Sequence, residues 1–156
     1  MHPALAIRHL ADHPECIPPL ARWFEAEWPD WYGPGGRGNA GDDLRRFCSH
    51  AALPIGLVAL QDGEPVGCVA LKADSIPERA QLGPWVAAGL VHPDHRRRGC
   101  GAALVGAAEA LARELGYPAV FCATATAASL LERLHWSFVE TLVHDGESLR
   151  LYRKPL

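Results

Sequence analysis

The chain is short of several things, and each shortage removes a class of function. No apolar run reaches the roughly 18 residues of a membrane-spanning helix. The five cysteines (Cys16, Cys48, Cys68, Cys100 and Cys122) are scattered, odd in number and never spaced C-x-x-C. That pattern excludes a disulfide framework and a zinc site, and fits reduced thiols in a cytoplasmic protein. Met1-His2-Pro3-Ala4 lacks a basic stretch followed by an apolar one, so no secretory signal is expected. Positive charge is not in surplus: the net charge is −3, which argues against a nucleic-acid partner. Lysine is nearly missing, with only Lys72 and Lys154 against thirteen arginines, three of them consecutive at Arg96 to Arg98. A local anion site is therefore favoured over a broad polyanion surface.

What remains is an ordinary globular composition, 49% apolar and 21% charged over 156 residues. This length suits a single domain, residues 1–156, with a core that needs neither metal nor disulfide. Leu5 to Arg8 reads as a strand, and a helix opening at His13-Pro14-Glu15 runs to about Glu27 with Ile17, Leu20, Trp23 and Phe24 on one face. Trp28 to Gly38 is so rich in Pro, Gly and aromatics that it reads as irregular. A second helix, capped by Asp42 or Asp43, extends to about His50. Strands at Ile55–Gln61 and Pro65–Ala73 meet at Asp62-Gly63, a hairpin signal. After a polar loop, Ser75 to Gly83, come a strand over Pro84–Val91 and the best helix of the chain, Gly99 to Leu115, with Glu109 and Arg113 as an i,i+4 pair. Gly116 ends that helix. A strand at Ala119–Thr124, a short helix at about Ala127–Leu134 and a hairpin turning at Asp145-Gly146 complete the order β-α-α-β-β-β-α-β-α-β-β. This order predicts an α/β (α+β) fold: a mixed, mostly antiparallel sheet of about seven strands, four helices, and one β-α-β unit with parallel strands at its centre.

The handover from strand to helix, Val91-His92-Pro93-Asp94-His95-Arg96-Arg97-Arg98-Gly99-Cys100-Gly101-Ala102-Ala103-Leu104, carries the chemistry. Helix-start N–H groups left bare by small residues bind anions, the helix dipole adds to the attraction, and arginine forks suit phosphates. Three nucleotide loops fail against these residues. No lysine follows the glycines as a P-loop requires, and Leu104 stands where a dinucleotide fingerprint needs its third glycine. There is no G-x-S-x-G elbow. Arg96 to Gly101 instead fits [QR]-x-x-G-x-[GA], the pyrophosphate loop of the GNAT family of acyl-CoA-dependent N-acetyltransferases. The extended form V-x-P-x-x-R-x-x-G-x-G-x-x-L is met at Val91, Pro93, Arg96, Gly99, Gly101 and Leu104. The segment from Ala128 to Glu140 resembles that family's A-x-x-[FL]-Y-E-[KR]-L-G-[FW], and the order of elements is the family's as well.

The resemblance implies a GNAT-like sheet whose β-α-β core binds acetyl-CoA as co-substrate, without a metal. It implies that the backbone amides of Arg97, Arg98, Gly99, Cys100, Gly101 and Ala102 hold the pyrophosphate. Leu90 and Val91 would bond the pantetheine arm along a splayed strand edge, and Arg133 with Arg96 to Arg98 would meet the outer phosphates. The implied reaction is acetyl transfer to a primary amine of a small molecule or peptide terminus, by direct attack in a ternary complex. An exposed sheet edge would allow a homodimer.

Such a transfer needs a neutral amine, a donor for the developing oxyanion and a proton for the thiolate. The resemblance puts the donor at a backbone N–H near Leu90 or Val91. It puts the acid at a tyrosine, and Leu131 stands there. Ser129 reads either as a contact to the cofactor sulfur or as a helix cap, and His135 reads as a turn residue in place of the family's glycine. Water supplies the proton otherwise, or the thiolate leaves as such. No glutamate lies in Trp85-Val86-Ala87-Ala88-Gly89, so Asp74 is the candidate base, acting through a water, against a plain solvated carboxylate. Glu27, Trp28 and Trp31 are candidates for holding a cationic amine by ion pairing and cation–π contact, while Trp23 and Trp85 read as core. His92 and His95 beside three arginines read as loop residues. Cys100 sits where a thiol pKa would be lowered, but reads better as a small residue than as a nucleophile. A non-catalytic acyl-CoA-binding domain is the competing reading, kept open by Leu131.

Overall fold

The computed structural model describes residues 4–156, so the reading of Met1 to Pro3 lies outside it. Among the described residues are seven strands in one sheet, ordered β1-β2-β3-β4-β5-β7-β6: β1 Leu5–His9, β2 Ile55–Gln61, β3 Glu64–Lys72, β4 Trp85–Val91, β5 Ala119–Thr124, β6 Ser137–His144 and β7 Glu147–Pro155. Every pair is antiparallel except β4 and β5. Five helices accompany them: α1 Ile17–Glu27, α2 Pro29–Tyr32, α3 Ala40–Arg46, α4 Cys100–Glu114 and α5 Ala128–Arg133. The Asp62-Gly63 and Asp145-Gly146 turns carry positive φ at both residues, the geometry that two-residue hairpins need.

Strand alternation sorts side chains onto two faces. On one face, α4 and α5 pack Leu104, Val105, Ala108 and Leu131 against Leu57, Ala59, Val69, Leu71, Val86, Val120 and Tyr152. On the other, α1 and α3 bury Leu20, Phe24 and Leu44 over Val58, Leu60, Cys68, Ala70 and Leu90. A smaller cluster sits on that second face further along the sheet, where Ile76 and Leu82 cover Trp85, Leu149 and Leu151. The covering segment is tied to β6 by Arg79 on Glu140 (3.1 Å from Nε) and by Glu78 on His144 (3.0 Å).

Three local expectations are corrected. Trp28 to Gly38 is not wholly irregular: Pro29, at a helix-start position it suits, opens the one-turn α2, and Gly33 N–H bonds back to its carbonyl at 2.9 Å. The next helix is capped by Asn39, whose side chain accepts from Asp42 N–H at 2.9 Å, and it stops at Arg46 well short of His50. Glu109 does not pair with Arg113. It lies on the buried stripe with Val105, Ala108 and Ala112, so its carboxylate points inward, 2.7 Å from Lys154 Nζ and 3.3 Å from the Trp136 indole N–H.

Lys154 also donates to the Leu134 carbonyl at 2.7 Å, so this buried pair clamps α4, the end of β7 and the turn after α5 together. Removing one partner of such a pair strands the other charge. Lys154→Met is expected to cost about 2–3 kcal/mol in urea unfolding, less than the ~3–5 kcal/mol of a fully buried pair because Lys154 keeps some contact with water. Adding Glu109→Leu to that background should recover most of the loss.

Candidate active site

The site is built around an interruption of the sheet. β4 and β5 form a ladder at one position only, Trp85 opposite Phe121, with Phe121 N–H bonding to the Pro84 carbonyl at 3.0 Å. Beyond it β5 offers β4 no ladder partner, and Ala87 to Gly89 and Phe121 to Thr124 lose their burial together. On its other side β4 pairs with β3 through a bulge: Ala87 opposes Ala70, Leu90 opposes Cys68, and Ala88-Gly89 share the space opposite Val69. Ala88 has φ +53, a cost that a non-glycine residue bears only where its surroundings hold it. Bulges bend and twist a strand. The result is a cleft whose wall is the backbone of Ala88, Gly89, Leu90 and Val91.

The cleft runs into the start of α4. Gly99, the cap residue, takes φ +81, the left-handed region in which a side chain is strained. Its carbonyl accepts the first helical bond, from Ala103 at 3.0 Å. The N–H groups of Cys100, Gly101 and Ala102 are thus the helix's unpaired donors, and those of Arg97, Arg98 and Gly99 have no acceptor among the described residues. Arg97, itself at φ +65, helps turn this run inward. A Cβ on Gly101 would come within 3.3 Å of Leu130, so glycine there lets α5 close against the helix start.

The three arginines are not equivalent. Arg96 is turned back onto the protein, with Nε donating to the Val91 carbonyl at 2.9 Å and Nη2 lying 3.1 Å from Glu27. Its side chain fastens the loop to the end of α1. Arg97 and Arg98 extend into solvent, as does Arg133 at the end of α5. His92 Nδ1 accepts from Asp94 N–H at 3.1 Å and its ring packs on Trp23, so this histidine shapes the loop.

Cys100 is buried, and burial pushes its thiol up from its ordinary value, opposite to the lowering that the helix start and the arginines suggested. Desolvation of the thiolate outweighs both because the side chain points into the core between α4 and the sheet. Leu131 is 1% exposed, packed with Trp136 and Tyr152, and places no proton donor in the cleft. The Tyr152 hydroxyl is itself buried, donating to Glu132 at 3.2 Å. Ser129 does not cap α5. No side chain caps it among the described residues: Thr124 Oγ1 accepts from Thr126 N–H at 3.1 Å and Ala127 N–H at 2.8 Å just ahead of the helix, and the Ser129 hydroxyl stays exposed. His135 adopts φ +68 just after α5, a turn position that suits glycine.

On the second face, α2 follows directly on α1. Trp28 and Tyr32 pack on Phe24, in the core cluster that Ala88 also borders. Trp31 is 42% exposed with the Arg37 guanidinium 5.3 Å from its ring, so its near partner is a cation of the chain itself. Glu27 is engaged by Arg96. Asp74 is exposed, at the rim of a cavity of about 320 Å³ lined also by Asp43, Arg46, Phe47, Leu53, Pro54, Lys72 and Ala73. Tyr32 reaches toward that cavity by donating its hydroxyl to Asp43 at 2.6 Å; burial first, then this bond, push the phenol far above its ordinary value. No short-range pattern joins Tyr32 to Asp43, which the sequence alone offers only as a helix cap.

A family model described as the acetyltransferase (GNAT) family matches residues 20–136. The chain belongs to that family. No curated protein matches the sequence. Among solved structures, an aminoglycoside 6'-N-acetyltransferase complexed with coenzyme A aligns over 96% of each chain, with TM-score 0.77 and 13% identity. A putative acetyltransferase, yncA, from Salmonella typhimurium with acetyl-CoA covers 97% of this chain and 94% of its own, with TM-score 0.75 and 18% identity. Ard1 from Thermoplasma volcanium covers 98% of each, with TM-score 0.73 and 19% identity. At these identities the likeness carries the fold. No helix among the described residues is long and apolar enough to cross a membrane.

Because the Cys100 thiol is buried and held protonated, Cys100→Ala is expected to keep acetyl transfer within a few-fold of the parent. Total loss of transfer with acetyl-CoA binding intact would indicate a covalent acyl-cysteine route.

Proposed function

We propose that this protein is an acetyl-CoA-dependent N-acetyltransferase acting on a primary amine by direct attack. The observation that carries this is the continuity of two backbone surfaces. The ladder-free edge of β4 runs straight into a loop whose N–H groups, from Arg97 to Ala102, lack acceptors. An extended molecule with amide groups at one end and a pyrophosphate at the other fits that order. Acetyl-CoA would supply an activated thioester at the amide end.

The chain's own groups then divide as follows. Backbone amides of Arg97, Arg98, Gly99, Cys100, Gly101 and Ala102 hold the phosphates, reinforced by the α4 dipole. Arg97, Arg98 and Arg133 add mobile positive charge, while Arg96 positions the loop through Val91 and Glu27. Leu90 and Val91 orient the arm by backbone hydrogen bonds, and an N–H beside the bulge stabilises the oxyanion. Ser129 is the hydroxyl available to the departing sulfur in place of the tyrosine that Leu131 replaces. Asp74 accepts the amine's proton through water. Trp28 and Trp31, with Glu27 behind them, wall the acceptor side. The reaction requires neither a second copy of the chain nor a metal.

Acetyl-CoA at well above its dissociation constant is expected to raise the unfolding midpoint by mass action, with ATP and NAD ineffective. Free thiol should be released only when an amine is also present. Gly99→Val, forced into a left-handed conformation costing about 1–2 kcal/mol, should weaken acetyl-CoA binding at least tenfold. Equal stabilisation by ATP would contradict the assignment, as would unchanged binding in Gly99→Val.

A further inference from the structure

The cavity at the exit of β3 is not absorbed by the cofactor site, and its charges are arranged to read one end of a ligand. It lies on the acceptor side of the sheet. Lys72 follows Cys68 and Ala70 in strand alternation, which places it on the face covered by α1 and α3. Lys72 is also the cross-strand partner of Trp85, three residues before the bulged Ala88. At about 3.3 Å per residue the cavity mouth is thus about 10 Å from the bulge along β4. A ligand anchored there would lay its other end across the mouth of the cleft.

Of the four charged groups lining it, the Asp43 carboxylate is already satisfied, by the Tyr32 hydroxyl at 2.6 Å and by Arg46 at 3.3 Å. Arg46 keeps further N–H donors beyond that contact. Lys72, one of only two lysines in the chain, has no ion-pair partner among the described residues, and neither has Asp74 at the rim. The four charges sum to zero, but the donors left for a ligand are the unpaired Lys72 ammonium and the remaining Arg46 N–H groups, beside an apolar floor of Phe47, Leu53 and Pro54. Such a floor lowers the local dielectric and strengthens attraction to an anion. About 320 Å³ lies at the lower end of small-molecule sites, ~300–1,000 Å³, too small for an oligosaccharide and enough for a carboxylate with a short chain.

The geometry points to an acceptor that carries a carboxylate remote from its reactive amine: an ω-amino acid or short peptide whose carboxylate is held by Lys72 and Arg46. The inference rests on the acetyltransferase reading above. Polycationic acceptors would instead place an ammonium against Lys72 and Arg46.

The test uses matched acceptors at saturating acetyl-CoA: ε-aminocaproate, its carboxamide and n-pentylamine, with glycylglycine and its amide as a second set. The carboxylated members are expected to show kcat/KM at least tenfold above their neutral counterparts, mainly through KM. Lys72→Gln and Arg46→Gln should each narrow that gap several-fold. Equal rates across a set in the unmodified protein, turnover confined to uncarboxylated or polycationic amines, or a gap that survives both substitutions would each overturn the inference. Those results would leave the cofactor assignment standing, because stabilisation by acetyl-CoA is read separately on the same samples. A protein that acetyl-CoA fails to stabilise would lose the underlying reading, and this inference with it.

Discussion

Backbone amides and carbonyls buried in a sheet need partners, and β4 gives up those on one side after a single residue pair with β5. The rest of the site follows from that interruption. The antiparallel side of β4 stays zipped to β3, so the strand is held firmly along one edge while the other faces a cleft. The bulge at Ala88-Gly89 deepens the divergence by bending the strand, and Ala88, at positive φ, packs against the core cluster of the second face. Only a parallel pair linked through a helix could open in this way and have a helix N-terminus at the end of the opening. The same interruption that exposes the backbone therefore aims the unpaired donors of α4 along it.

Charge is used in three distinct ways around this frame. Arg96 and Glu27 form a strut between the loop and α1, one that leaves Arg97 and Arg98 free to face an anion. Glu109 and Lys154 form a clamp deep behind α4, so the helix that carries the donors is fixed at its middle against β7. The third use, on the opposite face, is at the end of β3, where Arg46 pairs with Asp43 and the Lys72 ammonium has no ion-pair partner among the described residues. The first two are closed within the chain, and Lys72 is left open.

Much of this was legible in the sequence wherever function is written in consecutive residues. Gly99 to Ala102 could be read because a left-handed cap and close approach to α5 demand small residues at fixed spacing. The hairpins at Asp62-Gly63 and Asp145-Gly146 were legible for the same local reason. Misreadings arose where a side chain had a choice of direction. Glu109 has a partner of the right sign at i+4, but its helical phase sends it to Lys154, which is distant in sequence. Cys100 has nearby arginines and helix amides, but its orientation into the core decides its chemistry. Arg96 fits the motif, yet its guanidinium serves Glu27. The cavity was illegible because Asp43 and Arg46, Leu53 and Pro54, and Lys72 come from separate stretches of the chain that meet only in the fold.

The central claim is that one molecule occupies the open edge of β4 and the start of α4 together. Titrating isotopically labelled protein with acetyl-CoA while following backbone amide chemical shifts tests it directly. The account predicts that the largest changes fall at Arg97 to Ala102 and at Ala88 to Val91, in step with each other and saturating at one equivalent, while β6 stays silent. Shifts confined to the arginine loop, or concentrated away from β4, would show that the opening in the sheet is not where the ligand lies.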